Sequence, residues 1–103
     1  MTPAELAQRA AEWSKLPGGT DTALLACAEA VTALVGGLDH VGDRWDESTR
    51  LGAVMLTARL YRRRNSPNGV ESLTEMGASY VSRYDSDIAR LLLVDSFAKP
   101  VAL

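Results

Sequence analysis

The chain has 103 residues, enough for one small domain with a single core. Charged residues make up 23% and hydrophobic ones 47%, and 11 basic against 13 acidic side chains leave a formal net charge of −2. This balance excludes a disordered chain, a globally basic nucleic-acid binder and an acidic mimic of nucleic acid. One Cys and one His exclude an internal disulfide and a Cys/His metal centre. No apolar run approaches the roughly 20 residues that cross a bilayer. Met1-Thr2-Pro3-Ala4-Glu5 lacks the basic opening and apolar run of a signal peptide. The composition reads as intracellular and soluble, with no membrane and no cofactor expected. Fourteen Leu and 15 Ala stand against a single Ile, with only 6% aromatics, which favours helices over sheet.

The first helix is expected to start at Thr2. Thr2 caps, Pro3 suits the first helical position, and Glu5 completes a capping box. Leu6, Ala10 and Trp13 then share one face, and Leu16-Pro17-Gly18-Gly19 ends the segment. The second helix is predicted from near Thr20 or Asp21 to Gly36-Gly37. Its core stripe is Leu24, Cys27, Ala28, Val31, Leu34, Val35 and Leu38. Ala26, Ala30 and Ala33 line the reverse side beside Glu29, small enough for another helix to approach. Glycine and aspartate content makes 36–46 a loop, with Asp46 the N-cap of a third helix over about 47–64. Leu51, Val54, Met55, Ala58 and Tyr61 form its main stripe. Leu56 and Leu60 lie on roughly the opposite side, with Ala53 beside them. A helix apolar on two sides is either central to its bundle or shared with a neighbouring subunit.

Asn65-Ser66-Pro67-Asn68-Gly69 is a strong turn signal. Val70 to Leu73 and Ala78 to Arg83 are expected as two short strands around Thr74-Glu75-Met76-Gly77, or as one long loop. The last helix starts at Asp85, with Asp87 in its first turn and Ile88, Leu91 and Leu92 facing inward. Asp95 to Leu103 is a tail that Pro100 keeps from helix, yet it carries Phe97, Val101 and Leu103. The expected architecture is therefore an all-α bundle of about four helices over 1–95. It carries a long loop or short β-hairpin before the last helix and an extended tail over 96–103.

Little in the chain suggests chemistry. Cys27 lies on the core stripe, where burial opposes a thiolate. His40 sits in a Gly/Asp loop with no nucleophile or second ligand near it in sequence. Asp43, Asp46 and Glu47 resemble an acid cluster, but capping and the helix dipole account for Asp46 and Glu47. The same account covers Asp85 and Asp87. Gly36-Gly37 follows a helix, so it is no phosphate loop. No enzyme is expected. The densest charge feature is Arg59 with Arg62-Arg63-Arg64, at the end of the third helix. It suits the helix C-terminus and solubility, or else a surface for an acidic partner or a phosphate backbone.

Two segments are distinctive. One is Leu60-Tyr61-Arg62-Arg63-Arg64-Asn65-Ser66-Pro67-Asn68-Gly69-Val70. The other is Val81-Ser82-Arg83-Tyr84-Asp85-Ser86-Asp87-Ile88-Ala89-Arg90-Leu91-Leu92. Together, in this order and spacing, they resemble the small head-to-tail connector (adaptor) proteins of long-tailed bacteriophages, particularly those infecting actinobacteria. The resemblance covers the whole helical part. It departs at Ser86, where the family pattern has Pro, and the Lys99–Leu103 tail matches nothing in it. The resemblance implies a small helical bundle with a long loop and no enzyme activity. It implies a homo-oligomeric ring, commonly of twelve, docked on the portal protein at the head–tail interface of the virion. The ring extends the DNA channel, through which the genome passes without being read, and it seats the stopper or tail-completion protein. On this reading Ala53, Leu56, Leu60, Val70, Leu73, Met76 and Tyr80 are candidate inter-subunit contacts. Arg62, Arg63, Arg64, Phe97, Lys99, Val101 and Leu103 are candidate contacts to the portal or another partner. The alternative is a small helical DNA-binding or regulatory protein using Arg59 and Arg62–Arg64.

Overall fold

Each of the three long helices begins where a short polar side chain meets backbone N–H groups that have no partner inside the helix. The computed structural model describes residues 1–16, 21–42 and 44–94. In it Thr2 caps α1 (Pro3–Ser14). Its Oγ1 accepts from the Glu5 amide at 3.2 Å, while Glu5 Oε1 accepts from the Thr2 amide at 3.4 Å. Asp21 starts α2 (Thr22–Gly36) by accepting from the Leu24 amide at 2.8 Å. Asp46 starts α3 (Glu47–Arg62) by accepting from the Thr49 amide at 2.8 Å. These are the starts the sequence predicts.

α1, α2 and α3 each pack on the other two. Leu6, Ala7 and Ala10 of α1, Leu24, Ala28, Val31 and Val35 of α2, and Ala53, Leu56 and Leu60 of α3 fill the space between them. Cys27 is a small buried member of the same core, and burial pushes its thiol pKa up. α3 also packs against the last helix, α6 (Ser86–Leu92). That contact depends on Gly52. A Cβ there would lie 2.9 Å from Leu92 Cδ2 and 3.3 Å from Leu91 Cβ, so only glycine admits α6 at this distance. Both apolar sides of α3 are largely covered within the subunit, with Leu51 the exposed exception, so the helix is central.

The chain is all-helical among the described residues, but the expected count of four helices and the hairpin are corrected. The described residues form six helices, and 65–84 holds two of them, α4 (Val70–Met76) and α5 (Ala78–Tyr84), with no strand. The decisive spacing in α4 is three, not two. Val70, Leu73 and Met76 turn toward the core from α4, and Tyr80 and Val81 from α5. Gly77, at φ 58°, makes the reversal between them. Helices of seven residues do not stand alone in water, so packing against the bundle decides this segment over local propensity.

The seven candidate inter-subunit contacts all pack against the subunit's own core in this structure. Ala53, Leu56, Leu60 and Tyr80 are fully buried in the subunit's own core, with Leu73 beside them at 2% exposure. Val70 and Met76 are half-buried against the same core. Of the seven, Val70 and Met76 keep partial exposure. Conversely, Trp13 shares a stripe with the fully buried Leu6 and Ala10 but is 54% exposed. The tail and its Phe97, Lys99, Val101 and Leu103 lie outside the described residues, as does Asp43.

Candidate functional site: an arginine–aspartate network and an open groove

The arginine-rich end of α3 does not simply face solvent. One turn apart, Arg59 and Arg63 both reach across to the start of α6. Arg63 holds Asp85 with two parallel bonds, Nη2 to Oδ1 at 2.7 Å and Nη1 to Oδ2 at 2.8 Å. Arg59 Nη1 adds a third at 3.0 Å to Asp85 Oδ1. Arg59 then clasps Asp87, Nη1 to Oδ1 at 2.7 Å and Nη2 to Oδ2 at 2.6 Å. Paired parallel bonds of this kind are the strong, geometrically selective form of the ion pair.

Burial is uneven across the network. The Asp85 side chain is 1% exposed, the two arginines about a third or less, and Asp87 54%. A carboxylate removed from water needs its charge met on every side, and three guanidinium bonds meet it. Hydrogen bonds from Arg59 hold the Asp87 carboxyl down at about 2, well below its usual 3.8. Bonds to Asp87 and Asp85 raise Arg59, and the bonds to Asp85 and then Tyr80 raise Arg63. Arg63 Nη1 also donates to the Tyr80 hydroxyl at 3.0 Å, and that hydroxyl donates to the Asn68 carbonyl. Tyr80 thereby ties the turn before α4 to the network, and its ring packs 5.0 Å from that of Tyr84.

This revises the sequence reading of these residues. Asp85 occupies the N-cap position of α6 but makes no side-chain capping bond, because both its oxygens serve arginines. Asp87 likewise serves Arg59. The pairing joins residues 22 to 28 apart, and only the tertiary fold brings them together. The available signal was two arginines on one helix face (59 and 63, at i, i+4) and two acids at the start of the last helix (85 and 87).

The remaining arginines differ. Arg62 is exposed. Arg64 lies 3.9 Å over the Tyr61 ring and donates to the Tyr61 carbonyl at 2.7 Å. Tyr61 in turn donates to Asp21 Oδ2 at 2.5 Å, which lowers the Asp21 carboxyl pKa and raises the phenol. His40, expected in a loop without a nucleophile or second ligand beside it, is exposed but bonded: its Nε2 lies 2.7 Å from the Leu92 carbonyl at the end of α6. No three potential metal ligands converge among the described residues.

A second feature is an open groove of about 740 Å³ between α1 and α3. Trp13, Leu51 and Val54 form its apolar part, and Arg9, Glu12, Glu47 and Arg50 its rim. None of the four rim charges joins an ion pair among the described residues. Comparison with known proteins finds no matching family model, no similar curated protein and no similar solved structure.

Proposed function

We propose that this chain is a structural head-to-tail adaptor of a long-tailed phage virion. It forms a ring, of about twelve subunits by the family resemblance, on the portal protein at the head–tail interface. The ring extends the DNA channel and seats the stopper or tail-completion protein. The proposal rests on the two sequence segments that resemble this family, Leu60–Val70 and Val81–Leu92. One observation supports treating them as a unit: Arg63 of the first segment grips Asp85 of the second, and Arg59, just before the first, grips Asp87. A paired motif with a physical reason for its pairing is a stronger signature than two unconnected strings.

The network serves architecture. Its charges cancel, two cations against two carboxylates, and none is left poised to act on a substrate. The same cancellation weakens the DNA-binding alternative. Of its four arginines, Arg59 and Arg63 are neutralised inside the subunit and Arg64 is stacked on Tyr61. A phosphate backbone would meet a much smaller cationic footprint than the sequence suggests.

Electron microscopy and native mass spectrometry of purified virion necks test the proposal. The expected result is this chain as a ring between portal and stopper. Its absence from purified virions would overturn the reading. A gel shift at low salt tests the alternative, which requires tight binding that falls steeply as salt rises.

A further inference from the structure

The turn between α3 and α4 holds both asparagines of the chain, Asn65 and Asn68, and the peptide nitrogens that follow them differ. Asn65 is followed by Ser66, whose amide donates to the Arg63 carbonyl at 2.9 Å. Asn68 is followed by Gly69, whose amide hydrogen has no hydrogen-bond partner among the described residues. Gly69 is itself buried, where an unpaired N–H is uncommon. Asn68 is exposed, and its side-chain amide likewise has no partner among the described residues.

Packing favours glycine at position 69, because a Cβ there would lie 3.1 Å from the Arg63 carbonyl oxygen. With no side chain of its own, Gly69 leaves its nitrogen unshielded from the Asn68 side chain. The peptide group joining the two residues is also polarised. Its oxygen, the Asn68 carbonyl, accepts from the Tyr80 hydroxyl, which in turn accepts from Arg63 Nη1 at 3.0 Å. Hydrogen bonds in such a chain strengthen one another, and here a charged donor heads it. Electron density drawn toward the carbonyl oxygen makes the N–H of the same peptide group more acidic. A nitrogen that gives up its proton more readily is the better nucleophile at a given pH.

We infer that Asn68–Gly69 is a site of self-modification, where the chain converts its own Asn68 side-chain amide to a carboxylate with water as the sole co-reactant. The Gly69 nitrogen loses its proton and attacks Asn68 Cγ. A new C–N bond forms, the bond from Cγ to the side-chain nitrogen breaks, and that nitrogen takes up a proton and leaves as ammonia. The product is a five-membered succinimide ring. Water then opens the ring at one of its two carbonyls. Opening at Cγ restores the main chain and leaves an aspartate side chain. Opening at the main-chain carbonyl routes the chain through Cγ and leaves isoaspartate. Either product carries one more negative charge than the starting chain.

The isoaspartate product acts on the arginine–aspartate network. The oxygen that Tyr80 holds becomes part of a free carboxylate, with Arg63 on the other side of the same hydroxyl. That carboxylate competes with Asp85 for Arg63, whose two parallel bonds now go to Asp85 alone. The added methylene also lengthens the turn that Tyr80 ties down. The modification thereby loosens the joint between α3 and α4, whether or not the chain has the neck role.

The test is incubation of the full folded chain in mildly alkaline buffer, then tryptic digestion and mass spectrometry of peptide 65–83, which holds both asparagines. The same peptide, cut from the chain beforehand and incubated alongside, serves as the clock. The expected result is conversion at Asn68 with Asn65 unchanged, and a lower urea midpoint for the converted chain once ion exchange has separated it. Tyr80→Phe separates polarisation from restraint. A Tyr80 that merely restrains the turn would, on losing its hydroxyl, let conversion run faster. A Tyr80 that polarises the peptide group would let it run several-fold slower, and this is the expected outcome. Circular dichroism checks the fold; if Tyr80→Phe does not fold, Arg63→Gln, which removes the charged donor behind the hydroxyl, takes its place with the same expectation. Asn68 still an amide in the folded chain when the free peptide is fully converted overturns the inference. So does equal conversion at Asn65, a variant that converts as fast as wild type or faster, or a converted chain with an unchanged midpoint.

Discussion

Replacing Arg63 by Met is the sharpest probe of the ionic network. The substitution keeps most of the side-chain stem and removes the guanidinium. Asp85, with its side chain 1% exposed, loses bonds of 2.7 and 2.8 Å and keeps only the 3.0 Å bond from Arg59. The Tyr80 hydroxyl loses its donor. Hydrogen bonds to charged groups contribute about 1.5–3 kcal/mol each, at the low end here because Arg63 is 27% exposed. Two such bonds give a loss of about 3 kcal/mol, in line with the 3–5 kcal/mol typical when a buried pair loses one partner. Urea denaturation followed by Trp fluorescence measures it as a lower midpoint at unchanged slope. The double variant Arg63→Met/Asp85→Leu removes the stranded carboxylate as well. It is expected to recover about half of the loss or more, because most of the damage is an uncompensated buried charge. A single-variant loss under about 0.5 kcal/mol would place the pair in the surface class and refute the reasoning. So would a double variant as unstable as the sum of its singles.

Three further outcomes follow from the same structure. The folded Asp87 carboxyl sits at about 2 against 3.8 unfolded, so its ion pair stabilises the fold fully above about pH 4 and loses that contribution as pH falls toward 2; the stability gap between wild type and Asp87→Asn, read by urea midpoints, should be present at pH 7 and shrink through that window. Gly52→Ala gains about 1 kcal/mol of helix propensity but sets a Cβ 2.9 Å from Leu92 Cδ2, an overpacking penalty of about 1–3 kcal/mol; a lower melting temperature is expected, whereas Gly36→Ala, with no atom within 4 Å of the new Cβ, should not lower it. Cys27 is 1% exposed and its thiol pKa is raised by burial, so a thiol-specific reagent should label it far more slowly in the folded chain than in urea; equal rates would place it outside the core.

The parts of the fold legible from sequence are those governed by neighbours in the chain. Thr2 with Glu5, Asp21 and Asp46 act within three residues of themselves, so their caps can be read without knowing what packs where. The stripe Leu24, Cys27, Ala28, Val31 and Val35 is equally local, because periodicity alone assigns it a face. Residues 65–84 read as a hairpin or loop because turn signals at 65–69 and 74–77 flank two short apolar runs, while the helical outcome was decided by whether Leu73, Tyr80 and Val81 reach the core. The site was legible only as composition. Its arginines were visible as a cluster and its aspartates as helix-start residues. Nothing in the string says that one set neutralises the other.

The sequence by itself determined a helical bundle as the fold class, the starts of its three long helices and the inward side of α2. Each follows from backbone hydrogen bonding and side-chain spacing over a turn or two. Tertiary structure decided the rest. It made α3 central through the glycine at 52, folded 70–84 into two short helices no isolated peptide would keep, and turned half of a basic cluster into a latch on Asp85 and Asp87. It also left Trp13 and Leu51 outside a core that their stripes suggested they would join. The physical reason is common to all four: burial and charge pairing depend on which distant surfaces meet, and that is settled by the packing of whole helices, not by the residues next in line.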